Sequence, residues 1–314
     1  MGMADNFLIV FKQVLTLFII AGVGFCLCRA GRFDKKTVSQ VSYLQVNIVI
    51  PCVIFNSLRI KRDAGIVRDM GLAALATAAC YAVTILCAAL MYNKKPAKTG
   101  SVLKFGIVYS NVAFIGFPLV EAVSGKDALV FAAVALAVFT LFQWTHGVYI
   151  MGGRGMLSAR SILLNPGVIS LLLGFLFFLL GFEYFERYTG PLGGAVTFVA
   201  NMNTPLALTV LGAQMANSDY KKLFASGALY GACAVRLLAF PALAAVAMLP
   251  FNLPPHVYFA LAALCATPAA GLTSGLAEKF SADTSTAAQF VTLSTLLSVV
   301  TLPSFTAALR AIAG

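Results

Sequence analysis

Charged side chains are scarce in this chain. Asp, Glu, Lys and Arg make up 11% of the 314 residues, whereas a soluble domain usually carries roughly 25%. The sequence also contains only two histidines and one tryptophan. Polar connections between apolar segments are so short that nothing remains to form a soluble catalytic, nucleotide-binding or regulatory domain.

Catalytic and metal-binding motifs are missing as well. The seven cysteines lie in apolar segments without a C-x-x-C spacing, and we interpret them as packing residues. His146 and His256 are far apart and form no H-E-x-x-H pattern, and we expect His146 at a membrane interface. Neither a G-x-S-x-G nor a Walker A pattern occurs. The sequence therefore predicts no enzyme activity, no cofactor and no metal site.

Long apolar segments are abundant in the chain. Hydrophobic residues make up 60% of it, and the mean hydropathy is +0.91. A membrane-spanning helix needs about 20 apolar residues. Ten such segments can be delimited, at residues 6–28, 38–58, 70–92, 102–122, 127–150, 162–181, 191–215, 223–249, 256–277 and 285–311. This pattern predicts an all-α integral membrane protein with ten transmembrane helices in one domain, residues 1–314.

The basic residues are distributed unevenly between the two predicted faces of the membrane. If the N-terminus lies outside and ten spans alternate, thirteen Lys and Arg residues fall on the inner side and seven on the outer side. Positive residues are retained in the cytoplasm, so we predict a multi-pass protein of the cell inner (plasma) membrane with both termini outside. The net charge of +11 then reflects topology, and no nucleic-acid partner is expected. Residues 59–68 are a basic exception, interpreted as a short amphipathic helix at the outer interface.

Two of the ten segments are interrupted. Residues 102–122 include Ser110, Asn111, Phe114 and Pro118, and residues 257–277 include Thr267 and Pro268 followed by small residues. Unwound backbone at membrane depth must line a cavity or face protein. Interrupted helices at matching positions in two halves indicate the substrate site of a transporter. Pro118 and Pro268 are the predicted helix breaks, although simple kinks would give a similar pattern.

The two halves of the chain repeat each other. The interrupted segments end on Glu121 and Glu278, which are 157 positions apart, half of 314. An N-x-x-x-P pattern occurs at Asn47 and again 154 positions later at Asn201. Because each half contains five crossings, the halves enter the membrane from opposite faces. We therefore predict two inverted five-helix repeats, residues 1–154 and 155–314, with broken crossing helices 4 and 9.

The motifs resemble those of the auxin efflux carrier family, which includes bacterial organic-acid permeases and plant auxin carriers within the wider bile acid/auxin transporter group. The similar stretches are Pro51 to Phe55, Ser110 to Leu119, Asn165 with Pro166, Arg236 with Pro241, and Pro268 to Phe280 with Ser294, Thr295 and Pro303. They cover most of the chain. This resemblance implies a scaffold of spans 1, 2, 6 and 7, a mobile transport domain of spans 3–5 and 8–10, and a substrate site beside the crossing of helices 4 and 9.

The chain departs from the plant carriers in three places. Plant members have a dipeptide similar to Pro-Asn at the first crossing and one similar to Pro-Gln at the second. In this chain Ser110 precedes Asn111, and Ala269 follows Pro268. The long hydrophilic loop of many plant members is replaced by a short connection at residues 152–161. The chain is therefore similar to bacterial members, and the missing amide at helix 9 weakens the transfer of polar contacts from the family.

Several residues are candidates for substrate contact. They are Ser110, Asn111, Phe114, Thr267 and Pro268 at the breaks, Gln143 in span 5, which matches a polar position of the family's site, and Asn47 and Asn201 facing from the scaffold. Asn111 would equally serve as an interhelical hydrogen-bonding group. Glu121 and Glu278 are expected at helix ends, and become candidates for proton coupling if they are buried. The role of Arg236 stays open between a headgroup contact and charge compensation.

Three functions are consistent with this sequence. The first is a secondary transporter that moves a small organic anion, a carboxylate or auxin-like acid, by alternating access of the elevator type. The second is sodium-coupled uptake like that of bile acid symporters, although residues 269–271 are poor in cation ligands. A membrane sensor or enzyme is the third. Apart from the lipid bilayer and the anion, the sequence leaves the partners open, including a homodimer.

Overall fold

The computed structural model describes residues 3–61, 63–92, 96–157, 160, 163–218 and 220–313. Within these ranges the chain is helical and contains no strand, only an isolated bridge between Ser110 and Ala269. The all-α prediction is thus confirmed for the described part of the chain. Three basic residues counted in the topology argument, Arg62, Lys94 and Lys95, lie outside it.

The described residues of the first half form six helices. They are α1 (Met3–Arg29), α2 (Lys35–Leu44, continuing through Gln45–Val49 into Ile50–Ser57), α3 (Ala64–Met91), α4 (Ala97–Val108), α5 (Val112–Gly116 continuing into Phe117–Ser124) and α6 (Lys126–Ala128, Leu129–Phe142, Gln143–Gly147 and Val148–Gly152). A short 3₁₀ turn, Arg154–Met156, follows. The predicted amphipathic helix at residues 59–68 is wrong, because Asp63 accepts hydrogen bonds from Gly65 and Ile66 and so begins α3 directly.

In the second half, eight helices can be assigned to the described residues. They are α7 (Pro166–Leu180), α8 (Phe182–Asn201), α9 (Asn203–Ala216), α10 (Tyr220–Ala225), α11 (Gly227–Ala234, Val235–Ala239, Phe240–Met248 and Leu249–Phe251), α12 (Pro255–Ala266), α13 (Leu272–Lys279) and α14 (Thr284–Ala313). The middle parts of α2, α5, α6 and α11 are π-helical turns. Such turns widen a helix locally and often mark functional sites.

Seven helical stretches of the described chain are long and apolar enough to cross a membrane. They are Phe7–Arg29, Lys35–Ser57, Ala64–Met91, Lys126–Gly152, Gly190–Ala216, Gly227–Phe251 and Thr284–Arg310. Three shorter apolar helices, Val112–Glu121, Pro166–Leu180 and Pro255–Ala266, lie where spans 4, 6 and 9 were predicted. A multi-pass membrane protein is therefore supported, and the count of ten spans stays a prediction.

Helices α1 and α9 are in backbone contact. A Cβ atom built on Gly24 would lie 1.9 Å from the carbonyl oxygen of Thr209, and one on Gly212 would lie 1.7 Å from that of Ala21. Only glycine permits such an approach, which is the usual way for membrane helices to gain packing energy. Around this pair, α2 packs on α7 and α8, whereas α3 packs on α6 and α11.

Candidate functional site

The two interrupted helices meet at their interruptions. After Val108 the chain is extended at Tyr109, and α5 begins only after Asn111. The backbone N–H of Asn111 donates to the carbonyl of Pro268 at 2.8 Å, and that of Ala270 donates to the carbonyl of Tyr109 at 3.0 Å. Each interruption thus supplies hydrogen-bond partners for the other, as backbone inside a membrane requires.

The first interruption is not at Pro118. The helix breaks at residues 109–111, and Pro118 lies in the first turn of Phe117–Ser124, directly after the π turn Val112–Gly116. A proline in a helix lacks an N–H and crowds the preceding turn. The wider π turn accommodates both effects, so Pro118 follows the break and does not cause it. Pro268, by contrast, lies within the second interruption, residues 267–271.

Asn111 combines burial with an unpaired donor. Only 4% of the residue is exposed. Its Oδ1 accepts a hydrogen bond from the backbone N–H of Phe114 at 3.2 Å, which fixes the orientation of the amide, because an N–H group can only donate. Its Nδ2 has no partner. A buried unpaired donor is costly, so a ligand acceptor at this point would relieve a penalty that the free protein carries.

Gln143 is a second buried amide with an unpaired nitrogen. It is 3% exposed, and its Nε2 has no hydrogen-bond partner. It opens the π turn Gln143–Gly147 of α6. The same turn holds His146, whose Nδ1 lies 3.0 Å from the hydroxyl of Tyr109, and that hydroxyl donates to the carbonyl of Phe142 at 2.7 Å. His146 is thus hydrogen-bonded to the first interruption, and its position at a membrane interface stays a prediction.

A chain of amides joins α5 to α9 and α2. The Nδ2 of Asn203 donates to the carbonyl of Ala113 at 3.3 Å, and the Nε2 of Gln45 donates to the Oδ1 of Asn203 at 2.5 Å. Because the Ala113 carbonyl can only accept, the orientation of both amides is determined. Gln45 is fully buried, and its Oε1 is left without a partner. Hydrogen bonding thus connects the first interruption to two neighbouring helices.

Gln45 and Asn203 take the place that the sequence suggested for Asn47 and Asn201. Asn47 is half-buried, and its amide donates to the carbonyl of Tyr43 in its own helix, while Asn201 is exposed. A shift of two residues along a helix turns a side chain by about 200°, which places it on the opposite face. The residues of these turns that reach towards α5 are thus Gln45 and Asn203, and substrate contact by Asn47 and Asn201 stays a prediction.

Polar groups from α9, α13 and α14 surround the second interruption. The hydroxyl of Ser294 accepts from the backbone N–H of Ala269 at 3.2 Å. The Oε1 of Gln214, which would lie 3.0 Å from a Cβ atom on Gly271, and the hydroxyl of Thr273 are buried without a partner. Thr267 is fully buried, but its hydroxyl donates to the carbonyl of Leu264. Thr267 is therefore a less available contact than Gln214.

The remaining candidates from the sequence separate into two groups. Ser110 is 3% exposed and opposite Ala269, and Phe114 is half-buried on the same turn as Asn111. Glu121 and Glu278 are both exposed, and Glu121 lies 3.9 Å from the Nζ of Lys126. Exposed carboxylates at helix ends do not meet the condition set for proton coupling, so neither is retained for that role.

Arg236 is the buried cation of the site. It is 2% exposed in the π turn Val235–Ala239 of α11. Its Nη1 donates to the carbonyl of Ile107 at 2.8 Å, its Nε and Nη2 donate to that of Thr267 at 3.1 and 2.8 Å, and Nη2 also donates to that of Cys265. These carbonyls belong to the C-terminal ends of α4 and α12. No carboxylate of a described residue is among its hydrogen-bond partners.

Sequence reasoning missed Gln45, Asn203 and Gln214 and left Arg236 undecided. One signal was available for the first two, because they are 158 positions apart, close to the spacing of the other repeated features. Gln214 likewise has an amide residue, Asn56, 158 positions earlier, whereas Arg236 has an alanine at that spacing. The role of Arg236 depends on its contact with Ile107 in the other half of the chain, which local sequence patterns do not encode.

Apolar membrane helices with two paired interruptions and buried unpaired amides around them are typical of membrane transporters. Residues 9–159 and 156–306 each match the same family, described as membrane transport protein. The chain therefore belongs to this family, the auxin efflux carriers, and contains two copies of its repeat.

Two curated proteins are similar to the chain. An uncharacterized transporter of the archaeon Methanothermobacter thermautotrophicus is 25% identical over 300 residues, which cover 93% of this chain and 96% of that protein. Protein ECM3 of Saccharomyces cerevisiae is 22% identical over 148 residues, which cover 43% of this chain and 24% of that protein. The family and the archaeal relative point to transport across a membrane.

Proposed function

We propose that this protein is a secondary transporter that moves a small organic anion, such as a monocarboxylate, a dicarboxylate or an auxin-like acid, by alternating access. The observation that carries this proposal is the unpaired Nδ2 of Asn111, buried beside the paired interruptions. A carboxylate oxygen would accept from it. The N-terminal ends of α5 and α13, which follow the two interruptions, would add partial positive charge on the same side.

The proposed motion is of the elevator type. Helices α1, α2 and α7–α9 would form the scaffold, and α3–α6 and α10–α14 would move with the site. The backbone contact between α1 and α9 supports a rigid scaffold. The hydrogen bond between Asn203 and the carbonyl of Ala113 crosses the proposed boundary, so the motion would have to break it. The two repeats, residues 1–154 and 155–314, are proposed to be inverted.

A ligand screen tests the substrate class. Purified protein in detergent is heated with a panel of carboxylates that includes benzoate, succinate and indole-3-acetate. A ligand that binds only the folded state raises the melting temperature, and at least one carboxylate is expected to do so without sodium. If stabilisation strictly requires sodium, the sodium-coupled mode is favoured. If neutral or cationic compounds stabilise and no carboxylate does, the anion proposal is wrong.

Asn111→Ala tests the site. Loss of a hydrogen bond to a charged group is expected to weaken carboxylate binding by roughly ten- to a hundredfold, measured by isothermal titration with the best ligand of the panel. Asn217→Ala is the matched control, because Asn217 is an exposed C-cap residue of α9. Unchanged affinity in Asn111→Ala, with the control also unchanged, would reduce Asn111 to a packing residue.

A further inference from the structure

Four helix ends meet where the interruptions pair. The C-terminal ends of α4 and α12 lead into residues 109–111 and 267–271, and the N-terminal ends of α5 and α13 lead out of them. Each helix end carries about half an elementary charge, negative at the C-terminus and positive at the N-terminus. Left alone, the four ends would nearly cancel, and the site would have little preference for an anion.

Arg236 compensates only the negative helix ends. All its hydrogen bonds go to carbonyls of Ile107, Cys265 and Thr267, at the negative ends of α4 and α12. A guanidinium stays charged under all relevant conditions. Its single positive charge matches the roughly two half charges of those ends. The positive ends of α5 and α13 then remain uncompensated beside the unpaired amide of Asn111.

We propose that Arg236 determines the charge preference of the binding site by neutralising the carboxyl ends of α4 and α12, so that the ionised acid is bound in preference to a neutral analogue. Arg236 is on this account a specificity-determining residue that does not itself touch the substrate, because its donors already serve carbonyl oxygens. The inference rests on the proposed function and adds the origin of its selectivity.

The test compares each acid with its own amide. Affinities of the purified protein for benzoate and benzamide, and for indole-3-acetate and indole-3-acetamide, are measured by titration. The parent is expected to prefer the acid. In Arg236→Gln the affinity for the acid should fall about tenfold or more, while that for the amide changes by less than about threefold, because removing a nearby buried charge acts mainly on a charged ligand.

The Arg236→Lys variant separates the effect of the positive charge from the effect of the hydrogen bonds that hold the helices together. Lysine keeps the positive charge, but one ammonium group cannot serve carbonyls on two helices as a planar fork does. We expect a lower melting temperature, while the affinities for the acid and for the amide each stay within about threefold of the parent values. A purely structural role predicts instead that Lys and Gln variants lose acid and amide equally. If the Gln variant does not fold, the Lys variant alone decides between these outcomes.

Arg59→Gln is the matched control. Arg59 also holds two helices together, through Asn56, Gly193 and Thr197, but far along the chain from either interruption. It should lower stability without changing the ratio of acid to amide affinity. An unchanged ratio in Arg236→Gln overturns the role of Arg236 alone. A parent that binds each amide as tightly as its acid overturns the proposed anion substrate as well.

Discussion

Asp283 and Arg236 each hold two helices together, but the helix ends that they bind have opposite polarity. Arg236 binds C-terminal carbonyls inside the molecule, whereas Asp283 caps the N-terminus of α14 outside the apolar segment. The carboxylate of Asp283 accepts from the backbone N–H of Thr286 at 3.0 Å, from its hydroxyl at 2.7 Å, and from the hydroxyl of Thr99 in α4 at 2.8 Å. One side chain therefore holds two helices of different repeats together.

Asp283 makes stability depend on pH. Partial burial raises the pKa of its carboxyl, but the hydrogen bonds from Thr286 and Thr99 outweigh this effect, so the pKa lies below the ordinary value of 3.8. A carboxyl with a lowered pKa stabilises the folded state above its unfolded pKa and loses this contribution as the pH falls through the folded pKa. Asp283→Asn should therefore lower the melting temperature at pH 7, and its difference from the parent should shrink below about pH 4.

Asp34→Asn is the control for this measurement. Asp34 caps α2 through Thr37 in the same way, and its pKa is also lowered by those hydrogen bonds. Its hydrogen bonds, however, stay within its own turn, and the side chain is exposed. We expect a smaller change in melting temperature than for Asp283→Asn. Equal changes would mean that the contact with Thr99 contributes nothing.

Single residues were predictable only where their local sequence is unusual. Asn111 was chosen because it lies beside a proline and small residues in an apolar segment, and Gln143 because it matches a polar position in related carriers. Both prove to be buried amides with an unpaired nitrogen. Gln214 could not be chosen in this way, because one Gln in an amphiphilic helix has the same local pattern whether it faces an interruption or lipid.

At the scale of elements, π turns and prolines are linked. Three π turns, Gln45–Val49, Val112–Gly116 and Val235–Ala239, are each followed two residues later by a proline: Pro51, Pro118 and Pro241. The sequence showed the prolines and suggested breaks, but a π turn keeps the helix continuous where a proline would otherwise interrupt it. A proline therefore indicates a distorted turn, and the position of a true break depends on which distant backbone can pair with it.

The contact between α1 and α9 is expected to tolerate no added methyl group. Gly24→Ala places a Cβ atom 1.9 Å from the carbonyl oxygen of Thr209, so the two helices must move apart. Overpacking of this kind costs about 1–3 kcal/mol, and we expect a clearly lower melting temperature in a fluorescence-detected thermal unfolding experiment.

Gly22→Ala provides the comparison within the same helix. A Cβ atom on Gly22 would meet nothing within 4 Å, and alanine is a better helix former than glycine by roughly 0.5–1 kcal/mol. Its melting temperature should equal or exceed that of the parent. A Gly24→Ala variant as stable as Gly22→Ala would show that α1 and α9 are not packed as closely as described.

At the scale of the whole molecule, orientation in the membrane follows from charge. The excess of basic residues on one predicted side predicts that Met156 lies in the cytoplasm and Lys126 outside. Both are exposed at helix ends. In a variant without native cysteines, Met156→Cys should react with an impermeant maleimide only after the membrane is opened, and Lys126→Cys should react in intact cells. The reverse pattern would invert the proposed topology.

The apolar segments predicted most of the helices, because hydropathy and length are local properties. For example, the segment at 285–311 corresponds to α14 and that at 70–92 to α3. The site required more. Its geometry depends on Tyr109 and Ala270 exchanging a hydrogen bond across some 160 positions, and on Arg236 reaching both helix ends, and neither contact leaves a signature in the neighbouring sequence.

The pairing of the two interruptions has a consequence for biosynthesis. Tyr109 and Asn111 enter the membrane before Pro268 and Ala270 have been translated, an interval of roughly 10–30 s at ordinary rates of elongation. During it, the nascent first half carries backbone groups that hydrocarbon cannot solvate, so it must remain beside water or the insertion machinery. A ribosome that stalls midway thus leaves a truncated product in which these backbone groups have no hydrogen-bond partner.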